Sequence, residues 1–332
     1  MSGSHIHILR TYEETEHDGL SLVFSMVSQL GEVVDDTQHL TGQKVFVAGI
    51  PFLYTDKLST ANTNIIYTTF ESSELPHYWV DAINDYYHCC IVPHLAIKQK
   101  FLASGVRIPV EVVHQSYKRL PRSQSWHGPS DVFRVGFLGV PVKRKNLRRL
   151  YEACRQLRTT IPNLELFVHV ARSYDWLDLD EFSDIASDDF VAWTSGVLSN
   201  QALADWYRGL SCYVYPSSAE GWSFTPRESV YLGVPTALSS IPTHQELIAS
   251  GYCTVIHAPE TEVAAYEAGE YGRWHKVEVG QIVSAITEIY EKEQLMHDKA
   301  RAGASWIKNK WLQQDMMASL RQIIQRDWVR SP

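Results

Sequence analysis

The stretch Cys212–Glu246, CYVYPSSAEGWSFTPRESVYLGVPTALSSIPTHQE, decides the fold. The apolar run Tyr213–Tyr215 stops at Pro216, and a loop of small residues then leads into a helical pattern that ends at Gly233. The order predicted for this stretch is strand, loop, helix, strand and loop. Such a strand–helix–strand repeat is typical of a parallel α/β sheet with helices on both faces.

Two carboxylates bracket the loop between the first strand and the helix. Glu220 and Glu228 are eight positions apart, and a helix that starts near Thr225 places Glu228 in its first turn. Ligands of open α/β sheets bind outside the carboxyl ends of the strands, and amides at a helix start bind anions. Glu228 could equally be an ordinary acid at a helix start, where it stabilises the helix by about 0.3–1 kcal/mol.

The spacing of several residues resembles that of the retaining GT-B glycosyltransferases of family 4, the glycosyl transferases group 1. The shared patterns are Pro-Ser-x-x-Glu-Gly with Glu seven residues after that Gly and a later Gly-x-Pro, within Pro216–Pro235, and Pro-x-x-x-Glu-Leu at Pro242–Leu247. The resemblance implies that Glu228 binds the ribose hydroxyls of a nucleotide sugar and that Glu220 contacts the donor sugar. It also implies that sugar and phosphate are surrounded by the backbone amides of Gly221, Trp222, Ser223 and Phe224.

A cationic loop follows the predicted strand Phe133–Leu138 and begins at Gly139. Cations beside a helix start stabilise a diphosphate. The family usually has Gly-Arg here, and five residues later Lys-Gly or Lys-Asn. Lys145 is followed by Asn as in the family, but Val140 stands where Arg is usual. Either Arg144 or Lys143 supplies the second charge, or the affinity for the donor is lower.

Two further loops follow predicted strands in this half of the chain. Gly196 comes after the strand Phe190–Trp193, and in the family this turn meets the base of the nucleotide. Ala171–Ser173 follows the strand Leu164–Val170 as a second nucleotide-facing loop. The nearby Asp-Leu-Asp at 178–180 could suggest a metal site, but these acids lie in an acidic insertion with no strand directly before them. We expect no metal ligands.

The first half of the chain also alternates strands and helices. Strands are predicted at Ile65–Thr68, His88–Val92 and Val110–Val113, with helices between them at about 76–85 and 94–104. The segment resembles the second half of the family's amino-terminal domain. Glu71 follows the first of these strands, so it is a candidate catalytic residue, with a solvated loop acid as the alternative. Gly19 begins the first predicted helix, and the resemblance places it beside the acceptor and the donor phosphates.

The predicted architecture consists of two Rossmann-like doubly wound α/β domains that face a cleft, as in GT-B enzymes. A shortened amino-terminal acceptor domain covers residues 1–125, with a polar linker at about 115–131. The nucleotide-sugar donor domain covers 132–310, and a last helix within 311–332 packs back on the amino-terminal domain. The cleft, the acceptor and donor roles of the domains and this last packing are implied by the resemblance, whereas the linker is indicated by its turn-forming composition.

Composition excludes some classes of protein. The 332 residues carry a net charge of −8, which disfavours sequence-independent binding to nucleic acid. The five cysteines have no metal-type spacing, so we expect reduced core residues. No run approaches the ~20 apolar residues of a membrane span, and no secretory signal precedes the first strand. The protein is predicted to be cytoplasmic.

The predicted activity is transfer of a hexose-type sugar from a nucleotide-diphosphate sugar, most simply a UDP-sugar, to an unknown acceptor. Retention of the anomeric configuration is implied by the resemblance, and no metal or other cofactor is expected. Two alternatives stay open at this stage. One is a non-catalytic nucleotide-sugar-binding or scaffold subunit, suggested by Val140. The other is a glycosyltransferase that acts on modified DNA bases of the phage type.

Overall fold

A computed structural model describes residues 6–12, 19–122, 131–170, 178–266 and 268–328. The chain forms two compact units. The first comprises Met1–Ser116, Glu267–Arg273 and Trp311–Pro332, and the second comprises Tyr117–Tyr266 and Trp274–Lys310. The predicted loop at Ala171–Ser173 lies outside the described residues.

The first unit contains a parallel sheet of six strands in the order β2-β1-β3-β4-β5-β6. Its elements in chain order are β1 Ile6–Leu9, α1 Gly19–Val27, β2 Glu32–Val34, β3 Lys44–Ala48, β4 Thr63–Tyr67, α2 His77–Tyr86, β5 Cys89–Val92, α3 Leu95–Ala103 and β6 Val110–Val112. A short 3-10 helix, Pro51–Lys57, follows β3. The strands are continuous apolar runs because both faces of a parallel sheet are covered.

The second unit contains another parallel sheet of six strands, in the order β12-β11-β10-β7-β8-β9. Its elements are β7 Phe133–Leu138, α4 Leu147–Leu157, β8 Leu164–Val170, α5 Ser183–Ala186, β9 Val191–Ser195, α6 Asn200–Arg208, β10 Cys212–Tyr215, α7 Phe224–Leu232, β11 Thr236–Ser239, α8 Gln245–Ala249 and β12 Thr254–Ile256. Chain order reverses between β7 and β10. This switch point is where a sheet of this kind binds its ligand.

After β12 the chain forms a two-stranded hairpin and three helices. These are β13 Thr261–Tyr266, β14 Gly269–His275, α9 Val279–Glu291, α10 Glu293–Ile307 and α11 Gln313–Gln325. Helices α9 and α10 belong to the second unit, and α11 belongs to the first. In the first unit, Leu320 and Ile324 of α11 are fully buried in one core with Val27 of α1 and Phe46 of β3. The last helix therefore completes the core of the sheet that begins the chain.

The structure confirms the predicted α/β class with two parallel, Rossmann-like sheets. All five cysteines are free and buried, as expected. The sequence does not indicate the hairpin β13–β14, because its strands contain Glu, Ala and Gly, which are poor strand formers. None of the helices within the described ranges has the length and hydropathy that a membrane span requires.

Candidate active site

Two loops meet at the switch point of the second sheet, one after β7 and one after β10. Asn146, at the end of the first loop, has a left-handed backbone with φ of 56°. Its Nδ2 donates to the backbone O of Pro216 at 2.8 Å and to Oγ of Ser218 at 2.8 Å. In return the backbone N of Ser218 donates to the backbone O of Arg144 at 2.7 Å. The two loops are therefore fastened to each other by backbone and side-chain bonds.

Glu220 is the centre of a buried ion cluster on these loops. Its Oε1 accepts from Nη1 of Arg144 at 2.7 Å and from Nζ of Lys145 at 2.6 Å. The same oxygen accepts from the hydroxyls of Tyr215 at 2.8 Å and Ser217 at 2.6 Å. Burial raises the pKa of Glu220, but Arg144 and Lys145 outweigh it and lower the pKa to about 2. The carboxylate is therefore charged at neutral pH.

Both cations of the cluster have further contacts. Lys145 also donates to the hydroxyl of Tyr215, and its Nζ lies 4.7 Å from the centroid of that ring. Arg144 donates to the backbone O of Ala219 at 3.0 Å. Lys143 is exposed, so Arg144 and Lys145 are the two cations of this loop that the structure brings to Glu220. Of the two substitutes considered for the missing Arg at Val140, the geometry favours Arg144.

Glu228 has a different environment from Glu220. It is the fifth residue of α7, which begins one residue earlier than predicted, so it lies in the second turn rather than the first. Its Oε2 accepts from the hydroxyl of Tyr207 at 3.2 Å, and its residue exposure is only 4%. Burial raises the pKa of Glu228 to about 7, against an opposing effect of Lys118. A buried acid beyond the first turn is not an ordinary helix-start residue, so that alternative is wrong.

The loop between these carboxylates has an unusual backbone. Ser223 precedes α7 with φ of 70°, a left-handed conformation that is uncommon for residues other than Gly. The side chains of Trp222 and Ser223 are buried, so this loop can offer mainly its backbone to a ligand. Oγ of Ser223 lies 2.8 Å from Nε2 of His244, and Nδ1 of His244 lies 2.8 Å from the backbone O of Ser239. A carbonyl only accepts, so Nδ1 carries the proton and Nε2 accepts from Ser223.

Gly139 and Gly196 follow β7 and β9 at the same edge of the sheet. Their φ angles are 147° and 110°, which favour glycine. Among the described residues, no atom lies within 4 Å of a Cβ built at either position, so backbone conformation rather than crowding requires glycine. His169, at the end of β8, accepts from the N of Gly139 with its backbone O at 3.1 Å. Its Nε2 lies 2.9 Å from the O of Gly196.

Two predicted site residues lie in the first unit. Glu71 is half-buried in the loop after β4, and its charge raises the pKa of Lys100, which burial lowers by a larger amount. Gly19 is the first residue of α1. The structure thus gathers Arg144, Lys145, Glu220 and Glu228 in the second unit, while these two residues belong to the other.

The acidic pair at 178–180 has a local structural role. Asp178 precedes a short 3-10 helix, and its Oδ1 accepts from the backbone N of Asp180 at 2.9 Å. Both side chains are exposed. Within the part of the chain that the structure describes, no three His, Cys, Asp or Glu side chains are arranged to hold a metal ion.

Sequence reasoning missed several residues that shape this site. They are His169, Tyr207, Tyr215, Ser217, Arg227 and His244. Tyr215 and His169 are polar residues at the ends of apolar strands, which is a usable signal. Tyr207 and His244 gave no signal in the sequence. Each contacts a residue 21 positions away on another element, Glu228 for Tyr207 and Ser223 for His244.

Comparison with known proteins gives information on the family and on the fold. Residues 131–269 match the model of a family described as glycosyl transferases group 1. No curated protein sequence matches at a significant level. Among solved structures, HepE from Anabaena in complex with UDP-glucose is similar with a TM-score of 0.69 and 11% identity, over 96% of this chain and 99% of HepE.

Two longer proteins share the fold. TarM from S. aureus, in a complex that includes UDP, has a TM-score of 0.62 and 10% identity over 84% of this chain. The similarity covers only 55% of TarM, so this chain spans little more than half of that protein. The α,α-trehalose 6-phosphate synthase of Burkholderia multivorans has a TM-score of 0.60 and 10% identity, over 93% of this chain and 77% of that one.

The family match includes all six strands of the second sheet. The similarity to HepE extends over nearly the whole of both chains. The chain has the GT-B fold, and its second sheet lies within the segment that matches the family of glycosyl transferases group 1.

Proposed function

We propose that this protein transfers a sugar from a nucleotide-diphosphate sugar, with a UDP-sugar as the first choice, to an acceptor with retention of the anomeric configuration. The observation that carries the proposal is the pair of cations at the switch point. Arg144 and Lys145 both contact Glu220 in a buried cluster just before the start of α7. Fixed cations at a helix start form a site for a diphosphate.

The cluster is suited to stabilise a leaving group. Negative charge on the diphosphate grows as the bond to the sugar breaks, and donors that are already in place need no reorganisation at that moment. Glu220 holds both cations with bonds of 2.7 and 2.6 Å, so it fixes their positions. Its proposed role includes contact with the donor sugar. No general acid of raised pKa is required on this side of the reaction.

Glu228 is proposed to bind the nucleoside. In the family that the sequence resembles, the matching carboxylate accepts from the ribose hydroxyls, and its partner Tyr207 holds it in place here. Gly139, Gly196 and the amides of Gly221–Phe224 are proposed to contact phosphate, base and sugar. The structure of HepE contains UDP-glucose and that of TarM contains UDP, which supports a uridine nucleotide as the first donor to test.

Turnover without a divalent cation is part of the proposal. The role of a metal in such reactions is to offset the charge of the leaving diphosphate, and Arg144 and Lys145 supply that charge. We expect full activity in EDTA. Loss of turnover in EDTA that manganese or magnesium restores would contradict this part.

The test begins with a thermal-shift screen against UDP, GDP, ADP and their sugars. A ligand at 100 times its dissociation constant adds about 2.7 kcal/mol to the free energy of unfolding. Release of nucleotide from the donor that binds then measures hydrolysis or transfer, and NMR of the product gives the anomeric configuration. Binding without turnover would favour the non-catalytic subunit. Transfer of the sugar to DNA that contains modified bases of the phage type would favour the nucleic-acid alternative. An inverted product would contradict retention.

A further inference from the structure

The largest fully buried side chain of the described residues is a cation, Arg227, on α7 directly before Glu228. Its Nη1 donates to the backbone O of Trp222 and, at 2.8 Å, to the backbone O of Ser223. The guanidinium carbon lies 3.7 Å from the centroid of the Trp222 ring. Nη2 lies 4.0 Å from Oε2 of Glu246. Arg227 therefore contacts two successive carbonyls of the loop that precedes its own helix.

Such a residue needs a reason to be in the core. Removing a cation from water is unfavourable by several kcal/mol, and an apolar side chain of similar volume is often as stable or more stable. Burial lowers the pKa of Arg227 to about 9, against the effect of Glu246. Packing alone therefore does not explain an arginine at this position. The two carbonyl bonds are what an apolar residue could not make.

The two bonds determine the direction of the loop's peptide groups. In a planar trans peptide the N–H points opposite to the C=O. All peptide bonds of the described residues are trans. Since the carbonyls of Trp222 and Ser223 point to Arg227, the amides of Ser223 and Phe224 point away from it. These amides belong to the start of α7, where backbone N–H groups have no partner within the helix.

We propose that Arg227 is a positioning residue for the donor. It fixes the peptides on both sides of Ser223 so that their amides face the diphosphate-sugar, and it does so without touching the substrate. The left-handed backbone of Ser223, with φ of 70°, is the conformation that these bonds hold. His244 holds the side chain of the same residue through a bond of 2.8 Å. The inference rests on the proposed donor site in this unit.

The test compares Arg227→Lys and Arg227→Met with a matched control. Lysine keeps the charge but has a single ammonium in place of the planar fork, and methionine keeps volume without charge. The control is Arg134→Lys on β7, because Arg134 makes the same kinds of contact. It bonds the Glu165 carboxylate at 2.9 Å and the backbone O of Gly209 at 3.1 Å, and it lies 5.4 Å from the Phe167 ring centroid.

Two ligands distinguish an effect on the loop before α7 from an effect on the rest of the site. Titration calorimetry measures the affinity of each variant for UDP and for uridine, which lacks the diphosphate. We expect both Arg227 variants to bind UDP about 10-fold more weakly or worse, with uridine affinity within about 2-fold of wild type. The rate constant for donor hydrolysis should fall more than the UDP affinity. Arg134→Lys should match the wild type with both ligands.

The outcomes are distinguishable. Wild-type UDP affinity in Arg227→Lys and Arg227→Met, or an equal loss for UDP and uridine, would overturn the role of Arg227 while the donor site stands. Absence of UDP binding by the wild type would overturn the proposed donor and this inference together. If neither variant folds, as judged by circular dichroism, Arg227 serves the stability of the core and the inference is wrong.

Discussion

The switch points of the two sheets are built from different chemistry. In the first unit, between β1 and β3, Oγ1 of Thr11 donates to the backbone O of Ala48 at 2.7 Å. The hydroxyl of Tyr54 donates to the backbone O of Thr11 at 3.2 Å. In the second unit the loops meet through the ion pairs of Glu220 with Arg144 and Lys145. Among the described residues, the loops at the switch point are thus joined by neutral hydrogen bonds in the first sheet and by buried ion pairs in the second.

Two aromatic side chains of the first unit add to this difference between the two sheets. Beyond β3 and β4 of the first unit, Phe52 and Tyr78 are 36% and 42% exposed, with ring centroids 4.9 Å apart in an edge-to-face arrangement. Neutral bonds and rings are a poor match for a diphosphate, whereas paired buried cations are a good one. Among the described residues, the comparison therefore favours the second unit for the anionic part of the substrate.

The largest expected effect is loss of Lys145. Removing one partner of a poorly solvated charge pair is unfavourable by roughly 2–5 kcal/mol, and charge on the leaving group grows in the transition state. Lys145→Ala should lower kcat by at least ~30-fold, with a smaller loss of donor affinity. Arg144→Ala should lower kcat less, because Lys145, followed by Asn146, is the cation that matches the family's pattern. Steady-state rates of donor hydrolysis measure both.

The control for this prediction is Lys143→Ala. Lys143 lies on the same loop but is exposed, so its loss should change kcat by less than about 2-fold. Normal turnover by Lys145→Ala would mean that this loop does not hold the phosphates. The contrast between the two sheets would then have no bearing on the donor.

The next effect concerns the pH dependence of Glu228. Its pKa in the folded protein, about 7, is above the ordinary 4.5. The folded state therefore favours the neutral acid, and this stabilisation is fully present below pH ~4.5 and is lost as pH rises through ~7. Relative to Glu228→Gln, the wild type should lose up to about 3 kcal/mol of unfolding free energy between pH 5 and pH 8. Urea denaturation of both proteins at these two pH values measures the difference.

The same substitution tests nucleoside binding. Ribose hydroxyls donate better to a charged carboxylate, so uridine affinity of the wild type should rise from pH 6 to pH 8. Glu228→Gln should bind uridine about 10-fold more weakly at pH 8 and show no such rise. Uridine is preferred to UDP because its own charge is constant over this range. A pH-independent affinity in the wild type would remove Glu228 from the nucleoside site.

The sequence predicted the central strands of the sheets better than the edge strand β2 and the hairpin β13–β14. The strands Phe133–Leu138 and Leu164–Val170 have the predicted bounds, because a strand covered on both faces is an unbroken apolar run. The edge strand Glu32–Val34 was missed, since three residues give no periodicity. The hairpin β13–β14 was missed because its strands are not apolar runs.

The site divides in a similar way. Glu220 and Lys145 were each identified from the spacing of residues within its own motif. The structure places Nζ of Lys145 2.6 Å from Oε1 of Glu220. The pKa contrast between Glu220 and Glu228 could not be predicted, because it depends on burial and on Arg144 and Tyr207 from other elements. The burial of Arg227 could not be predicted, because both polar and apolar residues of α7 are buried and the helix has no amphipathic pattern.

A smaller effect is expected from the backbone conformation of Gly139, which follows β7 in the second unit. Gly139 has φ of 147°, so Gly139→Ala should lower the free energy of unfolding by about 1–3 kcal/mol. Gly280 in α9 is the control. A Cβ built at Gly280 would also meet no atom within 4 Å among the described residues, but the φ of Gly280 is not positive. Gly280→Ala should therefore raise the free energy of unfolding by about 0.5–1 kcal/mol. Equal effects in thermal denaturation would contradict a conformational requirement at Gly139.

The smallest effect is expected in the first unit, at Glu71. We propose that this half-buried residue acts on the acceptor, because the cations proposed to bind the diphosphate belong to the second unit. Glutamine still accepts from a hydroxyl but without charge, so Glu71→Gln should lower kcat/KM for the acceptor by about 3- to 10-fold, or 0.5–1.5 kcal/mol. UDP affinity and donor hydrolysis by water should stay at wild-type values, because Arg144, Lys145 and Glu228, which are proposed to bind the donor, all belong to the second unit. Glu74→Gln, an exposed acid on the same loop, should change none of the three quantities. The measurement pairs transfer to an acceptor found by screening with hydrolysis in its absence. A loss of donor hydrolysis in Glu71→Gln would show that the first unit also serves the donor, and the division of roles between the two edges would be wrong.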